Sequence, residues 1–483
     1  MTAVAVLPRG WRGRGLDFGL TAIFAACAAL AVSYTLGRSA AFAFAIPAIA
    51  LLFYMGRNWR MGVALLFVVS SLDGLLKHLH PSLATYIVKD ASVLAIYAGA
   101  LIPVLLRKVT LPLQRSALIA TWLLFGAYFI ANGIRDGDGT LQAIAGFRQH
   151  LFFSGLMFVG ALAYVRGTKF SWYVDVAIGC ITLAAVVGIV QYQMGDTWLA
   201  LSPNFTKLGL HYRTAETNTG GVAIHYYRAF GSLADPAAMG NATAYGCALA
   251  LASFGRWNRR SRWIGSAALL LMFSALILSA ARTSMLGLAI GGLAVLFLTV
   301  RLENRKRVAA AVVAVIVGVV IVGALAGRTL AVRFDSSSSS SAATSRIDAA
   351  ETMVTRMREQ PLGFGLGSSG AGGNFSNTLE AKTKDELLLD NLYLSYLYEG
   401  GPAGLLLFVL LQGVILVATI RRVRSAQDAA TRSLFTAMAG GQLAVLASGF
   451  ANGGVFDYAP VCQIFWFLCG GLLVDERLLN ARA

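Results

Sequence analysis

Residues 345–404 read SRIDAAETMVTRMREQPLGFGLGSSGAGGNFSNTLEAKTKDELLLDNLYLSYLYEGGPAG, the longest segment of the chain that cannot lie in a membrane. Its first part is amphipathic through Ile347, Met353 and Met357 and is bounded by Pro361. The glycine-rich run from Gly363 to Gly373 follows, and Asp390-Asn391 then lead into an aromatic and apolar run. That order predicts a helix, a glycine-rich loop and a second helix starting at Asp390.

Outward from this segment almost everything is apolar. Hydrophobic residues make up 57% of the chain, charged residues only 13%, and the mean hydropathy is +0.67, whereas a soluble domain carries roughly 25% charge. The expected fold class is an all-α polytopic membrane protein of about 12–14 transmembrane helices with a large periplasmic loop containing short helices. Fourteen apolar runs lie at roughly 16–36, 40–55, 61–76, 90–106, 116–133, 148–165, 171–194, 238–254, 263–280, 285–300, 308–327, 403–420, 433–450 and 460–474. Such helices form one bundle, so residues 1–483 are read as a single integral membrane domain. Cys27, Cys180, Cys247, Cys462 and Cys469 all fall inside apolar runs without CxxC or Cys/His spacing, which indicates neither a disulfide framework nor a zinc site. Arg9, Arg12 and Arg14 precede an apolar run longer than a signal-peptide core, read as an uncleaved first spanning helix.

Charge sets the expected orientation. With the N-terminus inside, 24 of the 40 basic residues fall in short cytoplasmic segments, among them Arg256, Arg259, Arg260 and Arg262. The net charge of +17 is therefore a topology signal and not a nucleic-acid footprint. Two long loops then face the periplasm, residues 195–237 and 328–402, and within the second the run Ser336 to Ser341 reads as a linker.

Three arginines stand out from the cytoplasmic clusters. Arg282 lies in ILSAARTSMLG between two apolar runs, Arg148 in GFRQHLFF opens the sixth run, and Arg228 in YYRAFGSLADPAAMG precedes the eighth. Each alone can be an interfacial arginine snorkelling to headgroups. Three on one face are accounted for more economically by a shared anionic ligand, since guanidinium suits phosphate oxygens bidentately. Asp390 reads either as the N-cap of the helix it precedes or as a general base facing the arginines. If Asp390 only caps, the base falls among Asp385, Glu386, Glu399 or Asp457.

Other features carry less. GFGLGSSGAGG lacks a preceding strand and a Gly-Lys-Ser/Thr ending, so its glycines are read as allowing a tight re-entry towards the membrane and not as a nucleotide site. His211 and His225 flank Glu216 without zinc spacing, and no metal site is expected. His150 reads as a packed or interfacial histidine, and Asp457 and Tyr458 as turn residues or groove lining.

Together SAARTSMLG, the SRIDAAETMVTRMREQPLGFGLGSSG element and DNLYLSYLYEGGPAGLLLF resemble the O-antigen ligase and polymerase (Wzy) superfamily, and RAFGSLADPAAMG is similar to its Arg-x-x-Gly-x-x-x-x-Pro signature. The likeness runs intermittently from Arg148 to Leu407. It implies a metal- and cofactor-independent inverting glycosyltransferase of the bacterial inner membrane, multi-pass, with its site facing the periplasm. The donor would be an undecaprenyl-pyrophosphate-linked oligosaccharide, with a chain-length regulator and export machinery as further partners. Carried over, Arg148, Arg228 and Arg282 would bind the pyrophosphate, Asp390 would be the catalytic base, and Asn391, Ser279 and Tyr393 would support them. Ligases of the family often have histidine where Asp390 stands, so the resemblance leans towards a capsular or exopolysaccharide polymerase. The alternatives are a ligase acting on lipid A core or protein and, from another class, a flippase or secondary transporter, which would need discontinuous helices or internal repeats.

Overall fold

The computed structural model describes residues 40–79, 83–107, 113, 116–135, 140–165, 170–200, 228–299, 351–353, 355–369, 391–452, 456 and 459–474. The expected runs 16–36 and 308–327 lie outside them, as do the linker Ser336 to Ser341, Asp390, Asp457, Tyr458, His211, Glu216 and His225. The protein is an all-α polytopic membrane protein. Among the described residues seven helices are long and apolar enough to cross a membrane.

The helices are α1 (Ala40–Arg57), α2 (Trp59–Leu79), α3 (Leu83–Leu105), α4 (Ala117–Arg135), α5 (Thr140–Phe147), α6 (Leu156–Val165), α7 (Phe170–Met194), α8 (Asp196–Ala200), α9 (Pro236–Ser253), α10 (Arg259–Leu278), α11 (Arg282–Thr299), α12 (Leu392–Ser425), α13 (Ala429–Ser448) and α14 (Val461–Cys469). Residues 351–353 and 355–359 are also helical, and that segment stops before Pro361 as expected. Chain contacts cluster into two units, residues 1–66 with 86–110, and residues 67–85 with 111–483. In the first unit Gly99 and Gly56 bring α1 and α3 so close that a Cβ on Gly99 would collide with the Gly56 carbonyl.

The second unit has its most extensive helix contact where α11 meets α13. Gly287 and Gly291 of α11 lie against Gly440, Ala444 and Ser448 of α13, and a Cβ on either glycine would strike the facing carbonyl of Ala444 or Gly440. Without water there is no hydrophobic drive between helices, so close backbone approach through small residues is what gains dispersion energy. Helix α13 also contacts α9, where Gly441 receives the ring of Tyr245. Helices α9, α10 and α13 have sequence-encoded starts. Asp235 caps α9 by accepting from Ala238 N at 2.7 Å with Pro236 at the first helical position, and Asn258 and Asp428 cap α10 and α13.

Among the described residues two helices are interrupted. The sixth apolar run does not begin at Arg148: the helix starts at Thr140, passes through a π-turn at Arg148–Phe152 and a 3-10 turn at Phe153–Gly155, and continues as α6. Helix α12 breaks at Gly401 (φ 62°, ψ −170°), which is followed by Pro402. In a straight helix residues 396 and 408 would be about 18 Å apart, yet the rings of Tyr396 and Phe408 stack at 4.0 Å. The short arm 392–400 therefore folds back along the longer arm 402–425.

The start of α12 differs from the expected one. Asn391, not Asp390, is the N-cap: its side-chain oxygen accepts from Tyr393 N at 2.9 Å and from Leu394 N at 3.1 Å. One position makes the difference because an N-cap must reach the N–H groups two and three residues onward.

Two outcomes test these assignments. Gly401→Ala places a side chain in a glycine-only region and against the Pro361 carbonyl, at a cost of about 1–3 kcal/mol. The detergent-solubilised variant should melt several degrees lower by fluorescence-detected size exclusion (roughly 4 °C per kcal/mol or less). Asn391→Ala should lose about 1 kcal/mol while Asn391→Ser stays near wild type, and equal melting of the two variants would remove the cap assignment.

Candidate functional site

At the end of the bundle where α10 gives way to α11 the chain turns within Ser279–Ala281. Ala280 there has a positive φ of 51°, and the Ser279 hydroxyl, fully buried, donates to the Leu276 carbonyl at 2.7 Å and accepts from Ala281 N at 3.3 Å. The outward carbonyl of Ser279 accepts from Nε of Arg228 at 2.9 Å, and Ala229 N donates to the Leu278 carbonyl at 3.0 Å. Arg282 is the first residue of α11. Arg228 and Arg282 thus converge on one turn, and Ser279 shapes that turn. Arg256, at the other end of α10, donates to both carboxylate oxygens of Asp175. The two arginine sets lie about 30 Å apart along a 20-residue helix, as the charge pattern requires.

The RAFGSLADP segment is built to hold Arg228 there. Gln191 of α7 accepts from Phe230 N and Gly231 N at 3.0 and 2.8 Å, and Gly231 (φ 59°) passes so close to the Ala184 carbonyl that a Cβ would fall 2.5 Å from it. The Ser232 hydroxyl donates to the Ser71 carbonyl, and Leu75 N donates to the Ser232 carbonyl. Every residue from Ala229 to Leu233 is buried.

Asn391 reaches the same end. Ser448 Oγ donates to the Thr283 carbonyl at 3.4 Å, and just beyond Ser448 the Phe450 carbonyl accepts from Asn391 Nδ2 at 2.8 Å. Tyr393 donates its hydroxyl to the Leu446 carbonyl at 2.9 Å, and its ring lies 4.7 Å from that of Phe450. Contact by contact, Arg228, the Ser279–Arg282 turn, the α13 C-terminus and the α12 cap form one continuous strip. Asp390 directly precedes that cap and is outside the described residues.

Arg148 stands on the π-turn, its guanidinium 5.8 Å over the Phe153 ring. Two residues on, His150 is buried, and its Nε2 donates to Oε2 of Glu399 at 2.8 Å while its Nδ1 lies 3.1 Å from the Tyr396 hydroxyl. Glu399 also accepts from Gly367 N at 3.1 Å and from Ser369 N and Oγ at 3.2 and 2.7 Å. Four donors on two oxygens suit a carboxylate, which only accepts. Glu399 thus ties the π-turn to the glycine-rich loop and is committed to those bonds, which makes it a poor candidate for the base. His150 is the packed histidine the sequence suggested.

The loop itself docks by necessity. Breaking α12 at Gly401 orphans the last carbonyls of the short arm. Tyr398 O accepts from Phe364 N at 2.8 Å, Glu399 O from Gly365 N at 3.1 Å and Asn132 Nδ2 at 2.7 Å, and Gly400 O from the Tyr128 hydroxyl at 2.7 Å. Gly363, Gly365 and Gly367 all have positive φ, which lets the loop turn tightly against the bend in α12. A Cβ at Gly363 would sit 2.6 Å from the Glu399 carbonyl oxygen. Sequence reading treated Glu399 only as a fallback base and passed over Asn132. The available signal was a carboxylate inside the apolar run LYLSYLYEGGPAGLLLF, since a buried ionisable group within a span ordinarily has a partner and a task.

No curated protein matches this chain. Residues 267–409, which include Ser279, Arg282, the docked glycine loop, Asn391 and Glu399, match the family model described as O-Antigen ligase, and that match supports the resemblance to the O-antigen ligase/polymerase superfamily.

Proposed function

We propose that the protein is a polysaccharide polymerase that transfers a glycan from its undecaprenyl pyrophosphate onto an incoming lipid-linked repeat unit at the periplasmic face of the inner membrane. The observation that carries this reading is the convergence of Arg228 on the Ser279–Arg282 turn, at the N-terminus of α11 and inside the matched family segment. A helix N-terminus contributes roughly half a positive charge. Guanidinium groups at that helix end add to its attraction for an anion. Pyrophosphate is the anion whose charge and oxygen geometry fit two guanidinium groups.

In the reaction so proposed, the acceptor hydroxyl oxygen forms a bond to the anomeric carbon, the carbon–oxygen bond to pyrophosphate breaks, and the configuration inverts. Arg228, Arg282 and Arg148 stabilise the departing undecaprenyl pyrophosphate, and Asp390 takes the hydroxyl proton. Because Asn391 supplies the helix cap, that role does not have to be shared by Asp390. A ligase that delivers the same donor to lipid A core or protein would use the same residues on a different acceptor.

Three measurements test the reading on purified protein in liposomes with its lipid-linked repeat unit. Arg148→Ala, Arg228→Ala and Arg282→Ala should each cut polymer formation by about 10²- to 10³-fold, and lysine at the same positions should restore it only in part, as a point charge lacks the planar fork. Asp390→Asn should keep the fold and donor binding yet lose about 10²- to 10⁴-fold in rate, with single repeat units accumulating on the carrier. Elongation should persist in EDTA. Full polymer from two of the alanine variants, or strict dependence on Mg²⁺, would overturn the mechanism.

A further inference from the structure

We propose that Glu399 and His150 are positioning residues: their buried contact fixes the turn that carries Arg148 relative to the docked loop 361–369. The side chains are 0% and 2% exposed. One carboxylate oxygen of Glu399 receives His150 and Gly367, the other receives both groups of Ser369. On one side of the pair lies the five-residue π-turn that starts at Arg148, a helix irregularity of the kind that recurs at functional sites. On the other lies the end of the described loop, from which the chain runs on towards Asp390 and the cap at Asn391.

Docking the loop does not need this pair. Phe364 N and Gly365 N donate to the Tyr398 and Glu399 carbonyls at the bend, Asn132 of α4 donates to the carbonyls of both Leu362 and Glu399, Arg135 of α4 donates to the Gly363 carbonyl, and the ring of Phe364 stacks on Tyr398 at 4.4 Å. A buried carboxylate held by polar partners contributes little net stability over apolar packing of the same volume, and its best-attested use is to select one register. Here the register selected is that of two segments 30 residues or more from Glu399 along the chain, one of them 249 residues away. The inference rests on the role given above to Arg148, and the experiment separates the two.

Full-length protein in liposomes is compared as wild type, Glu399→Gln, His150→Gln, the double variant and Ser369→Ala, by hydrogen-exchange mass spectrometry and by transfer from a polyprenyl-pyrophosphate-linked oligosaccharide. Either Gln variant should raise exchange in both peptides, 148–152 and 361–369. Turnover should fall about 10- to 100-fold with the donor KM almost unchanged, the pattern of lost transition-state positioning, and the double variant should be no worse than the poorer single one. Ser369→Ala, which deletes one hydrogen bond and leaves the carboxylate paired, should show a smaller change of the same kind and stands in if the Gln variants fail to fold. Exchange confined to whichever segment was mutated, or losses that multiply in the double variant, would overturn the proposal. Coupled exchange alongside full transfer by Arg148→Ala would sustain the coupling and remove Arg148 from the site.

Discussion

A helix that is broken inside an apolar bundle leaves main-chain carbonyls that have no water to turn to, and each one left unpaired costs several kcal/mol. The break at Gly401 creates that problem at Tyr398, Glu399 and Gly400, and the surrounding structure follows from its solution. Asn132 and Tyr128 are drawn from α4, and the main chain of Phe364 and Gly365 from the glycine-rich loop. The loop can come this close only as glycine at 363 and 367, where any side chain would meet backbone. Once it has docked, Ser369 and Gly367 meet the Glu399 carboxylate, and the partner left for that charge is His150 on the π-turn. A local failure of helix geometry thus becomes the joint between a long loop and the membrane helices.

The strip bearing Arg228 and Arg282 depends on a different economy, that of backbone proximity. Because α11 and α13 touch through Gly287, Gly291, Gly440 and Ala444, the first turn of α11 is held rigidly beside the end of α13 and through it beside Asn391. The adjoining contact with α9 is also polar, as Ser284 Oγ donates to Asn241 at 2.7 Å. Rigid placement matters for an anion site, because preorganised donors stabilise developing charge without reorganising during the reaction. The half-buried arginines are held on helix ends and on a main-chain turn.

Most spans were legible in the sequence because a run of apolar residues bounded by charge has few alternatives in a bilayer. The run at 171–194 corresponds to Phe170–Met194 and that at 263–280 to Arg259–Leu278. The exceptional arginines were legible as well, since a charge near a span is costly enough to require a reason. Opposite placement of Arg256 and Arg282 followed from the same reading. What the pattern could not reveal is where a run is broken. The residues around Arg148 are as apolar in a π-turn as in an α-helix, and Gly401-Pro402 in sequence resembles an ordinary helix start.

The sequence by itself determined the class, most of the long apolar helices among the described residues and the three arginines worth following, because composition and periodicity act over short stretches of chain. Only the tertiary structure decided that Asn391 and not Asp390 caps α12, that Glu399 is enclosed by donors, and that His150 is its partner. The reason is physical. A hydrogen bond between residues 249 positions apart leaves no periodic trace, and its partners are chosen by the direction in which a broken helix folds back.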